Sequence, residues 1–163
     1  MSKAVLISIQ PQWCEKIASG RKTIEVRKTR PKLEPPFKCY IYQTHEGQKE
    51  GRLHSGIIGE FVCRKIQRFD CGYDSRYNVT GAEIGDMCLT YDQFYRYGKN
   101  RPIFGFGIYD LKIYETPKSL HDLHAPCTPA CNFSEECGGT NAESCLFPVE
   151  RAPQSWMYVE ELI

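Results

Sequence analysis

The sequence has no apolar run that approaches the length of a membrane span, and no small-residue cleavage site follows its short apolar stretch at residues 4–9. We therefore expect this stretch to be a first β-strand rather than a signal peptide. The expected class is a cytoplasmic protein with no membrane partner. No internal repeat is evident, and 163 residues are the length of one domain, which we place at 1–163.

The sequence also has little net charge, with a formal value of +1, but the charge is unevenly distributed. Residues 1–40 hold nine Lys and Arg against three Asp and Glu, whereas residues 110–163 hold three against nine. A basic amino-terminal third can attract phosphate, and the acidic carboxy-terminal region can contact a protein partner. Alternatively, the two ends pack together and neutralise each other.

Hydrophobic patterning predicts an α+β protein that is mainly β. The predicted strands are residues 4–9, 22–27, 37–44, 56–69 and 102–115, and the predicted short helices are residues 11–20 and 90–100, with a helical turn at 118–123. Residues 70–87 are expected to form an irregular insertion, and residues 126–148 a Cys-rich segment. Glycines in the long strands favour a curled sheet or small barrel with helices at an opening.

Three stretches occur in a recognisable order: ISIQPQWCEKIASGRKTIEVRKTRP, YDQFYRYGKNRPIFGFGIYDLKIYETPKSL and APQSWMYVEEL. Together they resemble the ASCH-domain family, whose fold is related to PUA domains. The family motif GxKxxExR is intact as Gly20, Lys22, Glu25 and Arg27. The similarity covers nearly the whole chain apart from residues 70–87 and 126–148.

The resemblance implies a PUA-like small β-barrel with short flanking helices and a cleft beside the helix that precedes the motif. Family members are regarded as RNA-binding modules linked to translation or RNA processing, and some are small hydrolases. We therefore expect a protein that binds RNA or a nucleotide in a basic cleft, in RNA metabolism or translation-linked regulation. The alternative is a small hydrolase acting on RNA or a modified nucleoside, either a ribonuclease or an acetylcytidine amidohydrolase-like enzyme.

The motif bears on catalysis through two positions. In the amidohydrolase branch the residue matching Lys22 is catalytic, and a threonine nucleophile stands where this chain has Glu25. Because a carboxylate cannot copy an attacking alkoxide, this difference favours a ribonuclease or a water-activating variant. If the protein is an enzyme, Lys22 and Glu25 are its expected catalytic residues, and no catalytic cofactor is expected.

Each motif side chain also has a structural interpretation. Lys22 either holds an anionic ligand near apolar surface or extends to the solvent at the rim. Glu25 and Arg27 lie two residues apart, so they either form an ion pair between strands or contact the ligand. Strict alternation places Lys22 on the opposite face from Glu25, unless a bulge brings the two together.

Other ligand-binding candidates flank the motif at both ends of the chain. Trp156 can stack on a base while Gln154 or Ser155 reads its edge; alternatively, Trp156 closes the core and Ser155 caps a last helix at residues 155–162. Gln10 and Trp13 are likewise either ligand contacts or residues with a structural role. A tyrosine-rich helix is either an RNA-facing patch or an amphipathic surface helix; it carries Tyr91, Tyr95 and Tyr97 with Arg96, Lys99 and Arg101.

Nine cysteines are many for a cytoplasmic protein. Those at positions 14, 39, 63 and 88 lie in apolar patterns and are expected in the core. Four further cysteines are clustered in a segment with little apolar material, just after His121 and His124. They are Cys127, Cys131, Cys137 and Cys145. These four thiolates are the expected ligands of a structural zinc, although they lack the double CxxC spacing, and free thiols are the alternative.

Overall fold

The computed structural model describes residues 2–44, 55–71, 78–126 and 146–162 of the chain. The strands are β1 (Lys3–Ile9), β2 (Ile24–Arg27), β3 (Phe37–Gln43), β4 (Gly56–Phe69), β5 (Ile103–Lys118), β6 (His124–Pro126), β7 (Leu146–Pro148) and β8 (Trp156–Glu160). The helices are α1 (Pro11–Ala18), α2 (Gly81–Asp86) and α3 (Tyr91–Gly98), with a 3₁₀ turn at Leu120–Asp122. No helix in the described ranges is long and apolar enough to cross a membrane.

Six strands form one mixed sheet in the order β2-β5-β4-β3-β1-β8, and β6 pairs with β7 in a separate ribbon. Neighbours in the large sheet are antiparallel, except that β1 and β3 are parallel. This confirms the mainly β, mixed class predicted from the sequence. The predicted closed barrel is not formed within the described ranges, because the sheet order ends at β2 and β8. Strand β2 has only four residues, and the prolines at 31, 35 and 36 that follow cannot donate to a ladder.

Side chains, rather than a backbone ladder, connect the two ends of this curled sheet. The Arg27 guanidinium on β2 donates to the carbonyl of Ser8 on β1 at 2.6 Å. Beyond β2, the Thr29 hydroxyl accepts the indole N–H of Trp156 on β8 at 3.0 Å. The register of β4 against β5 shifts at three places, which bends both strands. The sheet therefore curls enough to bring its first and last strands within side-chain reach.

Strand β1 lies at the centre of the packing and is buried on both faces. Val5, Ile7 and Ile9 belong to a core that also buries Cys14 and Ile17 of α1. The alternate residues Ala4 and Leu6 pack into a second core on the other face. This double burial explains why the strand is a continuous apolar run instead of an alternating one.

Strand β2 begins at Ile24, two residues later than predicted. The backbone N–H of Lys22 donates to the Lys16 carbonyl of α1, and that of Thr23 donates to the Asp86 carbonyl of α2. Thr23 still accepts the backbone N–H of Ile108 on β5, but the backbone N–H of Lys22 is turned to α1, so the two-residue alternation does not extend to Lys22. Of the two placements that the sequence left open, the structure therefore has the one in which Lys22 meets Glu25.

Two further segments differ from the prediction. Residues 156–160 form strand β8, paired antiparallel with β1, where we predicted a last helix. In residues 70–87, expected to be irregular, α2 begins with a capping box between Thr80 and Glu83. Ile84 and Met87 anchor this helix in a third core with Phe94 of α3. The T-x-x-E spacing was a readable signal for this helix.

Five cysteines lie in the described residues, and four of them are buried. Cys14, Cys39 and Cys63 are in the core, which confirms three of the four predicted positions. Cys88 is only half-buried, whereas Cys71, which was not predicted to be in the core, is buried against α3.

Candidate functional site

A cleft of about 510 Å³ opens where the two ends of the curled sheet meet α1 and α3. Its walls come from the end of β1, the start of α1, the motif segment, the end of β3, the region around α3 and the turn before β8. It is lined by Ser8, Ile9, Gln10, Trp13, Lys22, Glu25, Val26, Arg27, Thr44, Leu89, Gln93, Tyr97, Pro153 and Gln154. The volume falls within the range of small-molecule sites, about 300–1,000 Å³.

Lys22 is almost fully buried, with 2% of its surface exposed. Its Nζ donates to the Met87 carbonyl at 2.8 Å and lies 3.3 Å from Glu25 Oε2. The same ammonium lies 5.2 Å from the centroid of the Trp13 ring, within cation–π range. Lys22 therefore does not extend to the solvent, and its charge is held by a carbonyl, a carboxylate and an aromatic ring at the wall of the cleft.

Glu25 and Arg27 continue this chain of charges along β2. Glu25 Oε1 lies 3.1 Å from Arg27 Nη2, and the two side chains are 6% and 13% exposed. The Arg27 Nε is buried and has no hydrogen-bond partner among the described residues. The two residues form an ion pair within β2 and not between strands, and this pair lines the cleft. Contact with a ligand stays a prediction.

The start of α1 supplies one aromatic wall. Trp13 is half-buried, and Lys16 Nζ lies over its ring at 4.4 Å from the centroid. Gln10 precedes the helix, and its amide oxygen accepts from the Gln12 side chain at 3.1 Å. Pro11 occupies the first helical turn, as its fixed φ favours. Both predicted ligand residues of this segment therefore line the cleft.

Helix α3 supplies the opposite wall through Gln93 and Tyr97. The Tyr97 hydroxyl donates to the Val26 carbonyl at 3.4 Å, and Lys28 Nζ lies 5.1 Å from the ring centroid. Burial raises the pKa of Tyr97, and the Arg27 charge opposes this shift only in part. Of the three tyrosines predicted to form an RNA-facing patch, Tyr97 lines the cleft, whereas Tyr91 and Tyr95 do not.

Gln93 was missed as a site residue, and the sequence contained a signal for it. Thr90 and Gln93 have the T-x-x-Q spacing of a capping box, which fixes where the third residue of the helix points relative to its start. What the sequence did not reveal is that this helix end faces β2. That placement depends on packing between α3 and the sheet.

Of the remaining predicted residues, one lines the cleft and three do not. Gln154 lines the wall, whereas Ser155 and Trp156 do not. The Ser155 carbonyl accepts from the backbone of Ser8, and Trp156 packs edge-to-face on Tyr158. Gly20 follows the end of α1 with φ +75°, and its position is exposed. These three residues thus have visible structural roles beside the site.

A buried thiol lies beneath the cleft. Burial, assisted by the nearby charge of Glu25, raises the pKa of Cys14 to about 12. The Cys14 Sγ contacts the Ile9 carbonyl at 3.6 Å. This thiol is therefore protonated at neutral pH, and we assign it to packing rather than to nucleophilic chemistry.

The predicted zinc ligands Cys127, Cys131, Cys137 and Cys145 lie outside the described residues. Within the described part of the chain, no group of three or more His, Cys, Asp or Glu side chains is arranged to hold a metal ion. The structural zinc therefore stays a prediction.

Comparisons with protein-family models and with curated protein sequences give no match. Solved structures do match. A crystal structure of ASCH from Zymomonas mobilis is 18% identical, with a TM-score of 0.58, and the match covers 97% of this chain and 88% of that one. Two mutant proteins of ZmASCH from the same organism each give a TM-score of 0.60 at 18% identity, covering 97% and 98% of this chain and 89% and 92% of theirs. The chain therefore has the fold of ASCH domains, as the motif resemblance predicts.

Proposed function

We propose that this chain is an ASCH-family protein that binds RNA or a nucleotide in the cleft between β2, α1 and α3. The observation that carries the proposal is the buried chain Lys22, Glu25 and Arg27, which lines a cleft of about 510 Å³. Burying three charges has a large desolvation cost, and such groups are retained where they serve recognition or catalysis. A role in RNA metabolism or translation-linked regulation belongs to the same proposal.

The balance of charge at the cleft supports an anionic ligand. Lys22 and Arg27 carry two positive charges against one on Glu25. At the edges of the two aromatic walls, Lys16 lies over Trp13 and Lys28 over Tyr97. Lysines at this rim that neutralise RNA phosphates would release the counterions held by those phosphates, which makes binding sensitive to salt.

The lining of the cleft also supports recognition of a base. Trp13 and Tyr97 supply aromatic surface, and Gln10, Gln93 and Gln154 supply amide groups that can pair with base edges. Single-stranded RNA exposes bases in this way, whereas the bases of a duplex are stacked and paired. We therefore propose a single-stranded or mononucleotide ligand.

The test is a titration of labelled single-stranded RNA by fluorescence anisotropy at about 50 mM and about 200 mM salt. Wild-type protein is expected to bind, with affinity that falls as salt rises. The double variant Lys22→Met with Glu25→Gln removes the buried ammonium without leaving its carboxylate partner charged. We expect it to lose about tenfold or more in affinity, the loss typical of a charged hydrogen bond.

Lys3→Met is the matched control, because Lys3 is exposed at the start of β1, at the opposite end of the strand from the cleft residues Ser8 and Ile9. It makes the same Lys→Met substitution away from the cleft and should leave affinity nearly unchanged. Thermal unfolding establishes that each variant is folded. Wild-type protein that binds no RNA, or that binds equally at both salt concentrations, would refute the proposal.

A second candidate function, hydrolysis of RNA or of a modified nucleoside, is favoured by one contact. Lys22 Nζ and Glu25 Oε2 form an ion pair of 3.3 Å at the cleft, which places a carboxylate base beside a cation. In this mechanism Glu25 accepts a proton from water, and Lys22 stabilises the negative charge that develops on the substrate.

Mass spectrometry separates the two functions. Wild-type protein is incubated with single-stranded RNA that carries an acetylated cytidine, and the products are weighed. Loss of an acetyl group or cleavage of the strand, absent with Glu25→Gln, would establish a hydrolase. Bound but intact RNA would leave the chain a binding protein.

A further inference from the structure

We propose that Gln93 makes the cleft selective for keto bases, uracil or guanine, over the amino bases cytosine and adenine. This inference rests on the proposed function, since it concerns which base enters the cleft. The observation that supports it is the fixed orientation of the Gln93 side-chain amide at the start of α3.

The capping box of α3 determines which end of the Gln93 amide is available. Gln93 Oε1 accepts the backbone N–H of Thr90 at 2.9 Å, and the Gln93 backbone N–H donates to the Thr90 hydroxyl at 3.2 Å. A backbone N–H can only donate, so the amide oxygen must face it. The NH₂ group is the end of this side chain that is left for the cleft.

Four other side chains that line the cleft already donate within the protein, although the Arg27 Nε has no partner among the described residues. Lys22 donates to the Met87 carbonyl, and Arg27 donates to the Ser8 carbonyl. The Ser8 and Tyr97 hydroxyls donate to the carbonyls of Pro153 and Val26. The Gln93 NH₂ has no hydrogen-bond partner among the described residues, so it is available to an incoming ligand.

An oriented donor distinguishes bases by their exocyclic groups. On the major-groove edge, uracil O4 and guanine O6 accept, whereas the cytosine N4 and adenine N6 amino groups donate. Cytosine O2 and the guanine amino group lie on the other edge, so the proposal is that the bound base turns its major-groove edge toward Gln93. Opposite the Gln93 NH₂, a carbonyl gains a hydrogen bond and an amino group does not. Gln10 and Gln154 lack this fixed orientation, because no described backbone group holds their amides.

The test uses Gln93→Glu and isothermal titration calorimetry with UMP and CMP. Glutamate at this position keeps the capping box, as Glu83 does for α2 in the same chain. The substitution replaces the NH₂ donor by an acceptor of the same shape. Wild-type protein should bind UMP about tenfold more tightly than CMP, and the variant should abolish or reverse that preference.

The ratio of the two affinities isolates the effect of the base, because the new negative charge repels both phosphates equally. Glu83→Gln is the matched control: it makes the reverse substitution in the other capping box, at a residue that does not line this cleft. Its UMP to CMP ratio should equal that of wild type. Thermal midpoints of Gln93→Glu and wild type should also agree.

The outcomes separate this inference from the proposed function. Equal wild-type affinity for UMP and CMP, or a preference that Gln93→Glu leaves unchanged, would overturn the inference while nucleotide binding stood. If wild-type protein bound neither nucleotide nor RNA, both the base preference and the proposed function would be refuted.

Discussion

At the scale of single residues, burial determines how the ionisable groups near the cleft behave. The Lys22, Glu25 and Arg27 charges remain paired because each has a partner within 3.3 Å. Thiols have no such partner, so burial favours their neutral form. The pKa is raised to about 12 for Cys14 and to about 11 for Cys63 and Cys71.

These buried thiols predict that the protein loses stability in alkali. Their pKa in the unfolded chain is 9.0, so above pH 9 the unfolded state releases protons that the folded state keeps. The stabilisation is fully present below pH 9 and is lost as the pH rises toward the folded values. We expect the free energy of unfolding to fall by about 1 kcal/mol per buried thiol between pH 9 and pH 10.

Urea unfolding at pH 7.5, 9 and 10 under reducing conditions measures this decline. Cys14→Ala removes one of the thiols and should make the decline shallower. An unfolding free energy that stays constant up to pH 10 would contradict the prediction, as would an equal decline in the variant.

At the scale of elements, the helix ends position the residues around the cleft. Helix α1 ends at Ala18, and Gly20 follows it in the left-handed region with φ +75°. This reversal sends the chain directly into Lys22, whose backbone N–H returns to the Lys16 carbonyl. The spacing from Gly20 to Lys22 in this chain thus has a geometrical basis in how the helix stops.

Gly20→Ala tests this structural role of the motif glycine. No atom lies within 4 Å of a Cβ built at Gly20, so the change causes backbone strain and no steric clash. We expect a loss of about 1 kcal/mol in the free energy of unfolding, with nucleotide affinity little changed. Asparagine tolerates this conformation better, so Gly20→Asn should cost less than Gly20→Ala. Equal unfolding curves for Gly20→Ala and wild type would contradict this structural role of Gly20.

At the scale of the whole molecule, the curled sheet makes the cleft by bringing its ends together. Strands β2 and β1 are separated by three other strands in the sheet order, yet Arg27 of β2 bonds to the Ser8 carbonyl of β1. Arg27, which makes this bond, also lines the cleft. Closing the sheet and forming the site are therefore coupled through Arg27.

Arg27→Gln should loosen this connection. It removes a charged hydrogen bond of 2.6 Å, so we expect a loss of about 2 kcal/mol in unfolding free energy and faster hydrogen exchange in β2. Arg30→Gln is the control, because its pair with Glu34 is 37% and 85% exposed and contributes little. Similar losses in the two variants would contradict a bridging role for Arg27.

Local features of the sequence were enough to predict most elements. The Pro11 start of α1, the Thr90 cap of α3 and the apolar run of β1 each specify their element through nearby residues. Helix α2 and strand β8 are exceptions. The β8 segment holds the strand-favouring residues Trp156, Tyr158 and Val159, and its pairing with β1 makes it a strand where we predicted a helix. The motif resemblance supplied the fold, which the residue pattern alone left between a curled sheet and a barrel.

By itself, the sequence determined that Lys22, Glu25 and Arg27 belong together as a motif, because they lie within six residues. Only the tertiary structure decided how they meet. The bonds from residues 22 and 23 to α1 and α2 take Lys22 out of the strand and turn it toward Glu25. The tertiary structure also decided that Gln93 and Tyr97, more than sixty residues further along the chain, line the same cleft. Contacts between such distant segments depend on packing that no local pattern encodes.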